Sequence, residues 1–158
     1  GAYPGIGAEE RGQGEAIAKS MFEMSKLKVP VISIVVGEGS SGGALAIGVA
    51  NKVFMMENAI YSILSPEGYS SILWKDSSRY KEAAEKMRLT AEDLLDLKVI
   101  DKIIEEPVKY SKKDFEKINK EIRKEILNEI ERMNKMSKEE ITEERYKKFR
   151  NIMGFKEV

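Results

Sequence analysis

Cysteine and histidine are both absent from the 158 residues. Without cysteine there is no disulfide, no thiolate nucleophile and no thiolate-ligated zinc. Without histidine this chain alone cannot build a Ser-His-Asp triad, an imidazole base or a His-ligated metal site. Any chemistry falls to backbone amides, carboxylates, Lys, Arg, Tyr, Ser or a partner. Net charge is missing too, since Lys+Arg and Asp+Glu are 27 each. That balance makes no global case for nucleic-acid or membrane binding. No apolar run approaches the roughly 20 residues that span a bilayer, and no signal-peptide pattern opens the chain. The lack of cysteine suits a reducing compartment.

What is present is enough for one domain with a core: 42% of residues are apolar and 34% charged. The first residue is Gly rather than Met, and residues 1–8 look like the middle of a Gly/Ala/Pro loop. The expectation is a fragment that lacks its N-terminal part. Residues 9–27 carry Ala16, Ile17, Met21, Met24 and Leu27 near helical spacing. Gly12 and Gly14 weaken the start of that helix or allow close packing there. Residues 28–36 are β-branched and mostly apolar, which predicts a buried strand. Further strands are expected at 53–56, 60–64 and 99–104. Ser65, Pro66 and Glu67 form a helix start, with helix continuing through Trp74. A polar helix is expected over 76–87 with a break near Ser77 and Ser78. Thr90 with Asp93 forms a near capping box for a short helix to Leu97.

Composition changes at residue 108. Residues 1–107 hold 12 basic and 16 acidic side chains, a net of −4, and residues 108–158 hold 15 and 11, a net of +4. Ser111 with Asp114 caps a long helix whose Phe115, Ile118, Ile122, Ile126, Ile130 and Met133 form one apolar stripe. Ser137 with Glu140 caps a second helix through about residue 152. The stripe is expected to pack on the rest of the molecule or on a partner chain. Acids interleave with the Lys and Arg residues, which argues against nucleic acid. The chain thus divides into 1–107 and a charged helical extension, 108–158.

The most informative stretch is Gly37-Glu-Gly-Ser-Ser-Gly-Gly-Ala-Leu-Ala-Ile-Gly48, between the 28–36 strand and a short helix reaching Ala50. Glycines allow close approach, and N–H groups at a helix start favour negative charge. Gly37, Gly39 and Gly42 match the G-x-G-x-x-G dinucleotide fingerprint, with Glu57 about 20 residues on. The helix is short for a βαβ crossover, however, and the next two strands are joined by a turn. Gly39, Ser41 and Gly43 match the G-x-S-x-G nucleophile elbow, but no histidine is available as base. A phosphate loop lacks its Gly-Lys-Ser/Thr ending. An oxyanion hole built from backbone N–H groups needs neither histidine nor cysteine. On residues alone it stands level with a tightly packed glycine turn that has no chemistry.

Three blocks in order resemble a family: Gly1-Ala-Tyr-Pro-Gly-Ile-Gly-Ala-Glu-Glu-Arg-Gly-Gln13, the 37–48 stretch, and Ser65-Pro-Glu-Gly-Tyr-Ser-Ser-Ile-Leu-Trp-Lys75. They are similar to the carboxyltransferase alpha-subunit family of multisubunit bacterial acetyl-CoA carboxylases. Lys98-Val-Ile-Asp-Lys-Ile-Ile-Glu-Glu-Pro107 also resembles that family. The likeness covers residues 1 to about 107, with the tail similar only as a charged helical end. It implies an α/β fold, part of a crotonase-like ββα spiral with a C-terminal helical extension, and a chain that is roughly the second half of the subunit. It implies carboxyl transfer from carboxybiotin, borne on a biotin carboxyl carrier protein, to acetyl-CoA, giving malonyl-CoA for fatty-acid synthesis in the cytoplasm. It implies a beta-subunit partner in an α2β2 heterotetramer, an active site between the subunits, and zinc on the beta subunit rather than on this chain.

The resemblance also gives the glycine turn a purpose. Loss of the carboxyl group leaves negative charge on the ureido oxygen of biotin, which backbone amides can hold. Biotin itself can then take the proton from the acetyl methyl group, so no histidine is needed. Position at the helix start assigns the donors to Gly42 and Gly43, with Gly39 and Ser40 next. Gly5, Gly7, Gly42, Gly43 and Ala44 are the expected biotin or acyl-CoA contacts, and residues 1–7 are expected along the same cleft. Ser40 stands where the family commonly has Gly, which narrows the approach. Glu9, Glu10 and Arg11 are expected to be a charged helix start, and Tyr69 and Trp74 core or subunit contacts. Two other readings remain. One is a different crotonase-type acyl-CoA enzyme, a decarboxylase, hydratase or isomerase, using an acid such as Glu38. The other is a non-enzymatic binding subunit working through its C-terminal helices.

Overall fold

The computed structural model describes residues 2–3 and 5–152. Two small parallel sheets set its architecture. The first contains β1 (Ile32–Val35), β3 (Lys52–Met56) and β5 (Lys102–Ile104), in the order β1-β3-β5. The second pairs β2 (Glu38–Ser40) with β4 (Ile60–Ser62), bringing Gly39 opposite Tyr61. The three ladders between these strands are parallel, and one isolated antiparallel bridge joins Ile60 to Thr90. Parallel neighbours need a crossover between them, and the chain supplies it by winding as a spiral. The first turn is β1, β2 and helix α3 (Ser41–Ile47). The second is β3, β4, then α4 (Pro66–Trp74), a 3₁₀ turn (Ser77–Arg79), α5 (Tyr80–Lys86) and α6 (Ala91–Asp96). The third starts with β5 and runs into α7 (Lys112–Met133) and α8 (Lys138–Arg150). The expected α/β ββα spiral is therefore present. The turn at Asn58 and Ala59, which argued against a dinucleotide fold, carries the chain from one sheet to the other.

The central strand carries the core. Val53, Phe54, Met55 and Met56 are all buried, as suits a strand covered on both faces. Ala50, Ala59 and Ile100, with Ala91 and Leu94 of α6, Ile104 of β5 and Ile118 of α7, complete the cluster. Ile122 and Ile126 pack against its rim, so the apolar stripe of α7 faces the spiral.

Local signals account for the helix starts. Ser65 Oγ accepts from the Gly68 amide at 3.1 Å, with Pro66 at the first helical position. Thr90 Oγ1 accepts from the Asp93 amide. Ser111 with Asp114 and Ser137 with Glu140 form reciprocal capping boxes.

Several boundaries differ from expectation. The helix expected over 9–27 is two helices, α1 (Ile6–Glu10) and α2 (Gln13–Lys26), and α1 begins inside the expected loop. Gly12 separates them with φ 76°, a left-handed conformation glycine adopts without cost. Residues 38–40, expected within a turn, form β2 because β4 supplies a pairing partner. The strand expected at 99–104 pairs only from Lys102. The amides of Val99 and Ile100 turn back to the Leu94 carbonyl, closing α6 after a left-handed Lys98. The strand expected at 28–36 starts only at Ile32, because the backbone before it serves another network.

That network centres on Arg145 of α8, which is only 2% exposed. Its Nη1 donates to the carbonyls of Met24 at 2.9 Å and Leu27 at 2.8 Å, and more weakly to Ser25 at 3.4 Å. Its Nη2 donates to Val29 O at 2.9 Å and to Asn51 Oδ1 at 2.7 Å, and Nε reaches the same oxygen at 3.2 Å. Asn51, 1% exposed, returns a hydrogen bond from Nδ2 to Ile141 O at 2.8 Å and accepts the Val31 amide. The acceptors at Met24 and Ser25 are final carbonyls of α2, which have no partner within the helix and favour a cation. Burial lowers the Arg145 pKa from its usual value, yet a guanidinium keeps its charge in proteins. Nearby, Lys148 of α8 donates to Asp101, whose other contacts are the Val53 amide at 2.7 Å and Lys52 at 3.6 Å. Arg132 of α7 grips Glu144 of α8 through two bonds of 2.8 Å.

Replacing Arg145 by Met removes the donors to the Leu27 and Val29 carbonyls and leaves Asn51 Oδ1 with the Val31 amide alone. We expect a loss of about 3–5 kcal/mol in urea unfolding. Arg145→Lys should recover only part of it, lacking the planar fork. A loss under about 1 kcal/mol would show that the network does not hold the fold. The Arg132 hydrogen bonds keep the Glu144 carboxyl below its usual pKa. Its contribution is thus present above the ordinary carboxylate pKa and disappears as pH falls through the lowered folded-state value. Glu144→Gln should destabilise by at most about 1 kcal/mol at pH 7, since the pair is partly exposed. In the same unfolding assay at pH 3 the gap between variant and parent should shrink.

Candidate active site

β2 leaves Ser40 extended at φ −147° and ψ 153°, and α3 begins at the next residue. The reversal falls on Ser41, at φ 59°. A serine in that left-handed region is strained, by roughly 1–3 kcal/mol. The geometry is the strand–elbow–helix expected of the G-x-S-x-G pattern. It turns the start of α3 toward the sheets. Ser40 occupies the cap position but makes no side-chain cap hydrogen bond, so no side chain of its own turn occupies the first-turn amides.

The start of α3 adjoins a cleft of about 330 Å³, at the small end of ligand sites, which α3 lines with Gly43, Ala44 and Ile47 and not with Ser41 or Gly42, nor with Ser40 at its cap. Its walls include Val35 of β1, Glu38 and Gly39 of β2, Gly43 and Ala44 of α3, and Tyr61 of β4. The structure therefore brings Gly39, Gly43 and Ala44 together, with Ser40 at the cap between them. Gly42 is the adjoining helical residue. A β-carbon there would meet Ile17 of α2 at 3.2 and 3.3 Å, so its small size lets α3 lie close on α2. Gly5 caps α1 and Gly7 lies within it, and neither lines the cleft. Ala2 does. Gly1 and Pro4, also expected along the cleft, lie outside the described residues. Glu38 is the acid in the lining. Glu9, Glu10 and Arg11 are exposed on and beside α1. Tyr69 and Trp74 meet edge-to-face at 5.9 Å, with Arg79 over the indole at 4.1 Å, away from the cleft. Among the described residues, no group of three or more His, Cys, Asp or Glu is placed to hold a metal ion.

Sequence reasoning passed over Tyr61, seen only as a strand residue. Its ring covers Gly39, where a β-carbon would sit 3.1 Å from Cδ2, and its hydroxyl occupies the space a β-carbon on Gly48 would need. Burial raises the Tyr61 pKa above its usual value, so the hydroxyl stays a donor at neutral pH. Glycine at a strand position signals such a partner, since an aromatic side chain across the ladder fills the missing volume.

Comparison with known proteins places these features in a family. Residues 1–153 match the family model described as acetyl co-enzyme A carboxylase carboxyltransferase-like. The chain is 57% identical over 150 residues to the acetyl-coenzyme A carboxylase carboxyl transferase subunit alpha of Streptococcus gordonii. A protein of the same name from Streptococcus pneumoniae is also 57% identical. Each match covers 95% of this chain and 57% of the relative, so the chain spans a little over half the length of those proteins. Among solved structures, a Pseudomonas malonate decarboxylase hetero-tetramer in complex with coenzyme A superposes with TM-score 0.64 at 18% identity, over 78% of this chain and 51% of that one. A transcarboxylase 12S structure with methylmalonyl-coenzyme A bound superposes with TM-score 0.57 at 23% identity, over 65% and 22%. At such identities the structures speak for the fold alone.

The cleft depends on glycine where Tyr61 packs. Gly48→Ala should cost about 1–3 kcal/mol by overpacking against the tyrosine hydroxyl. Gly37→Ala, whose β-carbon would meet nothing within 4 Å, should stay within about 0.5 kcal/mol of the parent. Equal thermal unfolding temperatures for the two variants would contradict this packing.

Proposed function

The chain belongs to the acetyl co-enzyme A carboxylase carboxyltransferase-like family, and we propose that it forms the part of a carboxyltransferase that holds negative charge during carboxyl transfer from biotin to acetyl-CoA. The observation that carries this reading is the uncapped start of α3, delivered by a strained elbow to a cleft floored by Gly43 and Ala44. The fit to biotin is reasonable. The cleft is small, its walls are apolar at Val35 and Ile47, and Gly43 and Ala44 present bare backbone or a methyl group beside the uncapped start of α3. Bound carboxybiotin supplies the transferable carboxyl group.

This chain's own part is electrostatic. The amides of Gly42 and Gly43 donate toward an oxygen that gains charge, with those of Ser40 and Ser41 beside them. Gly39 keeps the floor low. Fixed donors stabilise such charge without reorganising, and losing one typically costs about 10²–10³ in rate. No side-chain acid or base from the chain is required, in keeping with the absence of histidine. Gly5 and Gly7 on α1 fit a second role, shaping the approach beyond Ala2.

The partners in this reading are a carboxyltransferase beta subunit, in an α2β2 assembly, and a biotin carboxyl carrier protein. Exposed Val36, Ile47, Ile72 and Leu73, each more than half accessible, support a partnered state. Among the described residues no helix is long and apolar enough to cross a membrane. The cytoplasm, where acetyl-CoA and the carrier would meet it, is the proposed location.

Glu38 in the cleft lining keeps one other crotonase-type reading alive, acid–base chemistry on an acyl-CoA. The full-length subunit assembled with its beta subunit should carboxylate free biotin in a malonyl-CoA-dependent manner. Absence of transfer from the assembled complex would sink the proposal. Glu38→Gln separates the two chemistries. Carboxyl transfer should stay within an order of magnitude of the parent, whereas loss of a general base would cost about 10²–10⁴-fold.

A further inference from the structure

α3 has seven residues, too few for a helix to hold its own orientation. Two hydroxyls tie it down, one from each sheet. Ser33 of β1 is buried, and its Oγ donates to the Ile47 carbonyl at 2.6 Å. Tyr61 of β4 reaches over Gly39 and donates from its hydroxyl to the Ala44 carbonyl at 3.3 Å. Both acceptors lie in the closing turn of α3. Ala44 O also takes the Gly48 amide at 2.8 Å. Ile47 O has lost its regular partner, because the Asn51 amide goes instead to Val31 O at 2.9 Å. Ser33, Ala44, Ile47 and Tyr61 all line the same cleft. Glycines at 39 and 48 make room for the tyrosine.

We propose that Ser33 and Tyr61 are positioning residues, which through the Ile47 and Ala44 carbonyls set the tilt of α3 and so aim the amides of Gly42 and Gly43. The catalytic consequence rests on the carboxyl-transfer reading, while the positioning itself does not. Neither hydroxyl touches the reacting atoms. Each fixes one corner of a short rigid element whose other end carries the donors. The arrangement explains why a tyrosine sits in an otherwise apolar strand position opposite a glycine. It also explains why the buried serine of β1 interrupts the run Ile32–Val35.

The test uses Tyr61→Phe and Ser33→Ala in the full-length subunit assembled with its beta subunit, and Ile118→Val as a control that loosens the core far from the cleft. Each positioning variant should lower kcat roughly 2- to 10-fold, the worth of one hydrogen bond, with KM for malonyl-CoA unchanged. Ile118→Val should lower the unfolding temperature and leave kcat alone. In amide NMR spectra of the chain, Tyr61→Phe and Ser33→Ala should shift the Gly42 and Gly43 resonances, and Ile118→Val should not. The inference is overturned if both variants match Ile118→Val in kcat, or if the two glycine resonances stay in place. If the parent complex shows no transfer at all, the carboxyl-transfer reading fails, and the resonances alone decide the positioning.

Discussion

The fold depends on one buried guanidinium. Arg145 comes from the last helix, yet its five N–H groups reach the end of α2, the connection into β1 and the side chain that opens β3. Among the described residues it has no carboxylate partner. Its charge is held by carbonyl dipoles and by Asn51, and Asn51 in turn holds the backbone of α8 through Ile141. A charge buried this way is tolerated only when every donor is used. The consequence is geometric. The start of β1 and the start of β3 are locked to each other and to α8, and that fixes the first sheet. The first sheet carries Ser33, which holds the closing end of α3. The charged C-terminal helices therefore support the cleft from behind while standing clear of it.

Within that frame the cleft follows from small residues and one strained one. Gly39 and Gly48 admit the Tyr61 ring and hydroxyl, and Gly42 admits Ile17. Ser41 accepts a left-handed backbone where glycine would be easier. Strain at such a position persists only where the surroundings over-determine it, and here β2, α2 and β4 all constrain the elbow. The result is a helix start with no side-chain cap, beside a cleft whose acidic side chain is Glu38.

Much of this was legible in the residues, for local reasons. Ser65 with Pro66, Thr90 with Asp93, Ser111 with Asp114 and Ser137 with Glu140 each act within one turn, so their spacing alone announced the helix starts. The apolar run at 53–56 announced a strand in the same way. The glycine turn and its helix were visible too, and long blocks in register named the family. What escaped depends on partners distant in sequence. Glu38, Gly39 and Ser40 have little strand propensity and pair only because β4 lies beside them. Arg145 sits in a helix crowded with Lys and Glu, and only its place four residues after Ile141 hinted at an inward face. The role of Tyr61 depends on two glycines, 22 and 13 residues earlier, that a strand pattern does not connect to it. Gly5 and Gly7 were grouped with the cleft by the likeness of their block, whereas α1 carries them outside its lining.

The direct measurement is a structure of the full-length subunit in complex with its beta subunit and bound biotin. The ureido oxygen should lie within about 2.7–3.1 Å of the Gly42 and Gly43 amide nitrogens, the distance at which oxyanion donors act. A ureido oxygen held instead by side chains of either subunit, with these two amides facing solvent or another backbone, would contradict the assignment of α3 as the charge-holding element.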